Sequence, residues 1–164
     1  MSFDGALGPS ASAPARAVHA LLAWFAAIGA ALAPPVLRIA LAIPFFRSGM
    51  TKWDGFSLSS SAVYLFENEF KLHLFGAVYA FPLPALAAFL SATGEIVLPV
   101  LLVLGLGTRF AALGILAMTA VIQLVVPDGW LTYHLPWAAM ALALIALGPG
   151  PLSLDRLIAL ATRR

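Results

Sequence analysis

The sequence contains no cysteine, and this absence excludes several kinds of chemistry. Disulfides, thiolate metal sites and dithiol relays all require that residue. A four-helix, quinone-coupled thiol oxidase is therefore excluded. Charged residues are also scarce, at 10% of 164 residues. The nine basic residues are scattered and form no contiguous patch, so the sequence does not predict binding to nucleic acid.

Hydrophobic residues, in contrast, make up 62% of the chain, and its mean hydropathy is +1.00. Soluble domains contain roughly half apolar residues. A chain of this length has room for about four spans of ~20 residues each. We therefore predict an all-α protein: a four-transmembrane-helix bundle in a lipid bilayer, with an additional apolar N-terminal helix and a short amphipathic C-terminal helix.

The N-terminal region divides at a pair of prolines. Residues 1–16 are small and polar, which predicts a disordered tail. Residues 17–34 form an apolar helix that Pro34 and Pro35 are expected to end, because proline removes a donor and disfavours helix before it. Three interpretations of this helix stay open: a helix along or beside the membrane, a fifth crossing, or a cleaved signal peptide.

Residues 35–151 are predicted to form the membrane domain. Its spans cover about 35–53, 83–104, 110–126 and 133–147. Between the first two lies an outer loop, residues 54–81, whose aromatic side chains are typical of the headgroup layer, with a cofactor-stacking box as the alternative. Residues 152–164 are predicted to form a tail helix on the cytoplasmic side, with Ser153 as its N-cap.

Positive charges predict the orientation, because loops rich in Lys and Arg stay in the cytoplasm. With both termini in the cytoplasm, Lys52 and Lys71 lie outside. The inner side then holds a larger set: Arg16, Arg109, Arg156, Arg163 and Arg164. The outer loop, with Glu67 and Glu69, would face the periplasm.

Glu95 is the most informative residue, because it lies within residues 82–106, a stretch otherwise free of charge. A carboxylate at membrane depth is costly unless it is paired, hydrated or used. Arginine is the expected partner, since a bidentate ion pair keeps both charges in lipid at the lowest cost. Arg38 is favoured by the helix face on which it lies, whereas Arg47 is favoured because its depth in the membrane is closer to that of Glu95.

Two roles for these polar residues stay open at this point. An ion pair between one arginine and Glu95 can simply fix how the helices are aligned with each other. Alternatively, Glu95 exchanges a proton, with Arg38 or Arg47 setting its charge, beside a quinone whose carbonyl is bound by Gln123, His134 and Lys52. The latter three are the candidate cofactor-binding residues.

No metal site is predicted. His19, His73 and His134 lack the spacing of a helical ligand pair. His73 with Glu67 and Glu69 could bind a divalent ion in the outer loop, but solvated loop residues are the simpler interpretation. No phosphate-binding glycine loop is present either.

Several segments in order resemble the DoxX family of small bacterial membrane proteins. They are Arg38, the run FFRSGMTK from Phe45 to Lys52, Gly94-Glu95 with Pro99, and the run from Gly105 to Gly114. The resemblance covers about residues 35–156 and implies a four-helix bundle in a bacterial inner membrane. The family's charged pattern falls on Arg38, Lys52, Glu95 and Arg109.

The resemblance also implies candidate functions. Relatives include the DoxD subunit of a thiosulfate to quinone oxidoreductase, and many members are named as quinol oxidase subunits. We therefore expect an accessory subunit of a membrane oxidoreductase that interacts with quinone and binds no cofactor covalently; whether it is an enzyme stays open. Any electron-carrying cofactor would belong to a partner, since this chain has no cysteine and no haem pair.

The alternative is a non-catalytic assembly factor that docks a periplasmic partner through its outer loop. Wider relatives with this architecture act as chaperones or cargo receptors. A transporter is disfavoured by the small size and the single deep acidic residue. A homo-oligomer stays open.

Overall fold

The structure, a computed structural model, describes residues 13–162 and is predominantly helical. Its helices are α1 (Ala13–Met50), α2 (Ser60–Tyr64), α3 (Pro84–Leu104), α4 (Thr108–Val125), α5 (Leu135–Leu147) and α6 (Leu154–Ala161). Its strands are β1 (Trp53–Asp54), β2 (Ser57–Leu58), β3 (Lys71–Leu74) and β4 (Ala77–Ala80). Most of the predicted tail and the final two residues lie outside the described part, whereas residues 13–16 are helical.

Within residues 13–162, four helical segments are long and apolar enough to cross a bilayer. They are Ala13–Met50, Pro84–Leu104, Thr108–Val125 and Pro127–Leu147. The last comprises a 3₁₀ turn, a π turn and α5. The predicted four-helix membrane bundle is therefore confirmed. We call the end with α2 and the two hairpins the loop side, and the end with α6 the terminal side.

The prediction that Pro34 and Pro35 end an N-terminal helix is wrong. They lie inside α1, whose 38 residues span about 57 Å. Proline has a helical φ, and helices in membranes tolerate it where neighbours compensate for the lost hydrogen bond. Pro34 is buried and packs against Gly150. Residues 17–33 are thus the exposed N-terminal half of the first span's own helix.

The second half of α1 packs into the bundle along one face. Arg38, Leu41, Phe45 and Gly49 are buried there, and their spacing of three or four residues places them on one inward face of the helix. Leu41 and Phe45 join the core with residues of the other spans: Leu102, Ala111, Ala112, Ile115, Ala141 and Leu144.

The outer loop contains regular structure that the sequence did not predict. β1 pairs with β2, and β3 pairs with β4, both antiparallel. Ser59 caps the start of α2, its side chain accepting a hydrogen bond from the Ala62 N–H, and the helix continues as a π-helical turn, Leu65–Glu69. The β3–β4 hairpin lies against α4, where His73 Nδ1 is 3.1 Å from the carbonyl oxygen of Leu124.

Candidate functional site

The charged centre of the bundle is an ion pair between Lys52 and Glu95. Lys52 Nζ lies 2.5 Å from Glu95 Oε2, and it also donates to Ser48 Oγ at 2.9 Å. The other carboxylate oxygen, Oε1, accepts a hydrogen bond of 2.9 Å from Ser91 Oγ. Lys52 is 7% exposed and Glu95 is 4% exposed. Both carboxylate oxygens are therefore satisfied in a buried position.

Local sequence brings these groups together. Ser91 and Glu95 are four residues apart and share one face of α3, and Ser48 precedes Lys52 by four residues across the turn that follows α1. Gly49 allows the two segments to approach: a Cβ at this position would lie 2.9 Å from the backbone carbon and the Cβ of Glu95. Lys52 lies just beyond the loop-side end of α1 and turns its side chain inward.

A cavity of about 520 Å³ lies beside this ion pair. Its polar wall consists of Ser48, Lys52, Ser91 and Glu95. All other lining side chains are apolar, among them Phe66, Phe70, Phe81, Ala117, Met118, Ile122 and Trp137. An apolar pocket of this size with a few converging polar groups is typical of a small-molecule site.

Three aromatic rings of the outer loop line the loop-side part of the cavity. Phe66 makes edge contacts with Phe70 and Phe81, at centroid distances of 5.0 and 5.1 Å. Phe66 is buried, whereas Tyr64 and Tyr79 are exposed. The aromatic residues of the loop therefore divide into a group that lines the cavity and a group on the outer surface.

The predicted arginine partners of Glu95 are wrong, because the structure pairs Glu95 with Lys52. Arg47 is exposed and lines a separate groove. Arg38 is buried at the terminal side, where its guanidinium donates to the carbonyl oxygens of Pro149 at 2.7 Å and Val103 at 3.4 Å. Backbone carbonyls thus bind the guanidinium that sequence reasoning assigned to a carboxylate.

Asp155 is a structural residue that the sequence analysis missed. Its carboxylate accepts the N–H groups of Gly107 at 2.7 Å and Thr108 at 2.9 Å, at the start of α4. Ser153 caps α6 as predicted, accepting the N–H of Arg156. Carboxylates are favoured at helix N-termini, so the Gly107-Thr108 helix start was the signal that could have identified a partner of this kind.

The charge of Asp155 is stabilised in the folded state. Burial alone would raise the pKa of its carboxyl group, but the hydrogen bonds from Thr108 and Gly107, together with the nearby Arg38 guanidinium, outweigh burial and lower that pKa. A depressed folded pKa stabilises docking of α6 above the unfolded pKa of about 3.9, and this contribution is lost as the pH falls through the folded value.

We therefore expect α6 to stay docked at neutral pH and to detach only below about pH 4. Because the chain has no cysteine, Ala161→Cys gives a single site for a nitroxide label, whose mobility reports docking. Mobility should rise on acidification in this variant. Adding Asp155→Asn should raise it already at pH 7 and remove the acid transition; equal mobility in both proteins at pH 7 would contradict the role of Asp155.

His134 and Gln123 are brought together, but neither lines the cavity. His134 Nδ1 lies 2.6 Å from Gln123 Oε1, and Gln123 Nε2 donates to the carbonyl oxygen of Pro127 at 3.0 Å. His134 is buried and packs against Trp137, which does line the cavity. These two residues hold the turn between α4 and the fourth span, whereas Lys52 is the predicted cofactor-binding residue that lies at the cavity.

Residues 13–162 contain no cluster of three or more His, Asp or Glu side chains that could hold a metal ion. Sequence reasoning also missed the two serines of the polar wall. Their spacing of four residues from Lys52 and Glu95 was the available signal.

Comparisons with known proteins agree with the resemblance. A family model described as DoxX matches residues 33–128. A protein from Haemophilus influenzae, described as an uncharacterized protein, is 34% identical over 140 residues, which covers 80% of this chain and 86% of that relative. No solved structure matches significantly.

Proposed function

Because this chain belongs to the DoxX family, a family of membrane proteins, we propose that its loop-side cavity binds a quinone. The chain would act as an accessory subunit of an oxidoreductase complex in a bacterial inner membrane, with both termini in the cytoplasm. One observation supports this most strongly: Lys52 and Glu95 are the only charged residues among those lining the cavity, and apart from two serines all the others are apolar.

A quinone matches both parts of that lining. Its ring and isoprenoid tail need apolar contacts, which Phe66, Met118 and Trp137 offer. Its carbonyl oxygen needs a hydrogen-bond donor, and the Lys52 ammonium carries three N–H groups, of which Glu95 and Ser48 use two. The third is available to a ligand in the cavity.

Proton exchange is the chemistry that this chain would add. Reduction of a quinone to a quinol takes up two electrons and two protons. The electrons would come from a cofactor of the partner subunit, because the sequence has neither cysteine nor a histidine pair spaced to bind haem. Lys52 can donate one proton to the reduced carbonyl oxygen, which leaves a neutral amine beside the Glu95 carboxylate. A proton taken up from the aqueous side then restores the ion pair, and the second proton of the quinol follows by the same route.

Binding can be tested with the purified chain in lipid nanodiscs. A soluble quinone analogue should quench tryptophan fluorescence saturably, since Trp137 lines the cavity. Ala117→Phe should weaken this binding about tenfold or more, because it fills the cavity and leaves the ion pair intact. Leu113→Phe, also exposed on α4 but outside the cavity lining, is the matched control. Absence of saturable quenching, or equal binding by both variants, would refute the proposal.

A specific observation favours the second candidate, docking of a periplasmic partner. Phe56 and Phe75 are fully exposed in the β1–β2 and β3–β4 turns, so both rings are accessible to a partner that docks on the outer loop. Gentle purification from native membranes distinguishes the two candidates. A partner that is retained in Glu95→Gln but lost when Glu67, Glu69 and Lys71 are all alanine would favour docking through the outer loop.

A further inference from the structure

The cavity beside the ion pair is bordered on one side by residues that face lipid. Leu90 of α3 is 61% exposed and Val121 of α4 is 45% exposed, yet both line the cavity. Each belongs to a row of exposed apolar side chains on one face of its helix, at spacings of three, four or seven residues. The rows are Leu86, Leu90 and Val97 on α3, and Phe110, Leu113, Ala117 and Val121 on α4. Since both helices span the membrane, the cavity opens to the bilayer between them.

Toward the terminal side this opening is closed, because α3 and α4 are in close contact there. A Cβ added at Gly114 would lie 2.9 Å from Leu98 Cδ1, and a Cβ added at Gly94 would lie 3.1 Å from Met118 Sδ. These two glycines therefore bring the helices together in the middle of the span and below it. The opening is confined to the half of the bundle nearer the loop side.

The same contacts show which residues lie at equal depth. α3 and α4 are antiparallel neighbours joined by a short turn, so the register of the glycine contacts places Ala117 level with Glu95 and Val121 nearly level with Leu90. Leu90 lies about 9 Å from the start of α3, and Val121 about 6 Å from the end of α4. The cavity thus has an inner level at the ion pair and an outer level within the hydrocarbon of the loop-side leaflet.

Aromatic rings cover the cavity on the side of the outer loop. The loop residues that line it are Phe66, Phe70 and Phe81, and none of these side chains has a polar atom. A molecule dissolved in the bilayer can instead reach the ion pair through the opening between α3 and α4. We propose that the cavity takes its ligand from the loop-side leaflet by this route, an inference that rests on the proposed quinone site. The ring of the ligand lies at the inner level and its apolar chain passes between Leu90 and Val121 into lipid, so the substrates are long-chain quinones.

Two ligands distinguish the two levels: a benzoquinone ring without a chain, and the same ring with a decyl chain. In nanodiscs of one lipid composition, Val121→Phe should weaken binding of the decyl quinone about tenfold or more, because it narrows the outer level. It should change binding of the chainless ring by less than about twofold. Ala117→Phe should weaken binding of both ligands, because it fills the level of the ion pair. Saturable quenching of tryptophan fluorescence measures both affinities.

Leu113→Phe is the matched control, since Leu113 lies on the same exposed row of α4 but does not line the cavity. This variant should bind both ligands as the original chain does, because partition into the lipid is the same for all variants. Leu90→Phe should have the same selective effect as Val121→Phe, and it decides the question if the melting temperature shows that Val121→Phe does not fold.

The possible results separate this proposal from the quinone site itself. Equal weakening of both ligands by the two outer-level variants, or no effect of either variant on the decyl quinone, would overturn the lateral opening. Binding of the chainless ring alone would also refute the lateral opening but would leave the quinone site intact. Binding of neither ligand would refute the quinone site, and this inference with it.

Contact between the opening and lipid can also be measured without a quinone. Because the chain has no cysteine, Val121→Cys provides a single thiol for a fluorophore. Lipids brominated in their acyl chains should quench this label, whereas a label at Asn68→Cys, which is exposed in the outer loop, should keep its emission. Equal emission of the Val121→Cys label in brominated and ordinary lipids would overturn the proposal.

Discussion

Lys52→Met should destabilise the folded protein by about 3–5 kcal/mol, because it leaves the buried Glu95 carboxylate without its counter-charge. Glu95 lies about 16 Å from the start of α3, near the middle of the span, so its short side chain cannot reach the membrane surface. Only Ser91 would then remain as a donor to this carboxylate. Equilibrium unfolding in detergent measures the loss.

Removing both charges should cost much less than removing one. The double variant Lys52→Met with Glu95→Leu places two apolar side chains where the ion pair was, and such replacements are often neutral. We expect its stability to return to within about 1 kcal/mol of the original protein. Additive losses from the two single changes would show that the ion pair does not couple the two segments.

Lys71→Met is the control for loss of a lysine. Its ammonium donates only to the exposed carbonyl oxygen of Glu67, at 3.2 Å, so the stability should change by no more than about 0.5 kcal/mol.

The folded double variant, Lys52→Met with Glu95→Leu, also distinguishes a structural role of the ion pair from a role in binding. If it binds the quinone analogue as tightly as the original chain, the ion pair contributes only to the packing of the bundle.

Gly105→Ala should destabilise the protein by about 2–5 kcal/mol through two separate effects. Gly105 has a φ of +68°, a conformation that costs a residue with a Cβ about 1–2 kcal/mol. An added Cβ would also lie 2.6 Å from Ser153 Cβ and would meet the guanidinium of Arg38. The substitution therefore forces apart the contact between α6 and the α3–α4 turn.

Gly107→Ala separates these two effects, because the two glycines differ in their surroundings. Gly107 has a φ of +56°, but a Cβ added there would meet no heavy atom within 4 Å. The substitution should cost only the conformational part, about 1–2 kcal/mol. Equal unfolding free energies for the two variants would show that α6 and Arg38 do not pack closely against Gly105.

The composition and hydrophobic runs were sufficient to predict the bundle, because a bilayer imposes the length and the helical form of any crossing. The bounds of α3 and α4 differ from the predicted spans by at most two residues. Pro34 and Pro35 led to a wrong helix end, because a membrane helix can continue through proline where neighbouring groups compensate for the lost hydrogen bond. The hairpins of the outer loop carry patterns too short to predict.

Glu95 could be identified from sequence, since a single acid in a long apolar run must be compensated whatever the fold. Its partner could not. Arg38 was expected from the helix face on which it lies, and Arg47 from its depth in the membrane. Both criteria locate the backbone of a residue, but they do not show where the end of a long side chain lies. Lys52 turns inward from beyond the end of α1, and Gly49 lets α1 approach α3 closely enough for the pair to form.

The amino-acid sequence alone determined that this chain crosses a membrane as helices, that thiol chemistry is excluded because there is no cysteine, and that Glu95 needs a compensating charge. Tertiary structure alone decided that Lys52 supplies it, that Asp155 joins α6 to α4, and that a cavity lies beside the ion pair. The physical reason is that burial and helix formation depend on local runs of side chains. Which charged groups meet depends instead on distances between segments that are remote in the sequence.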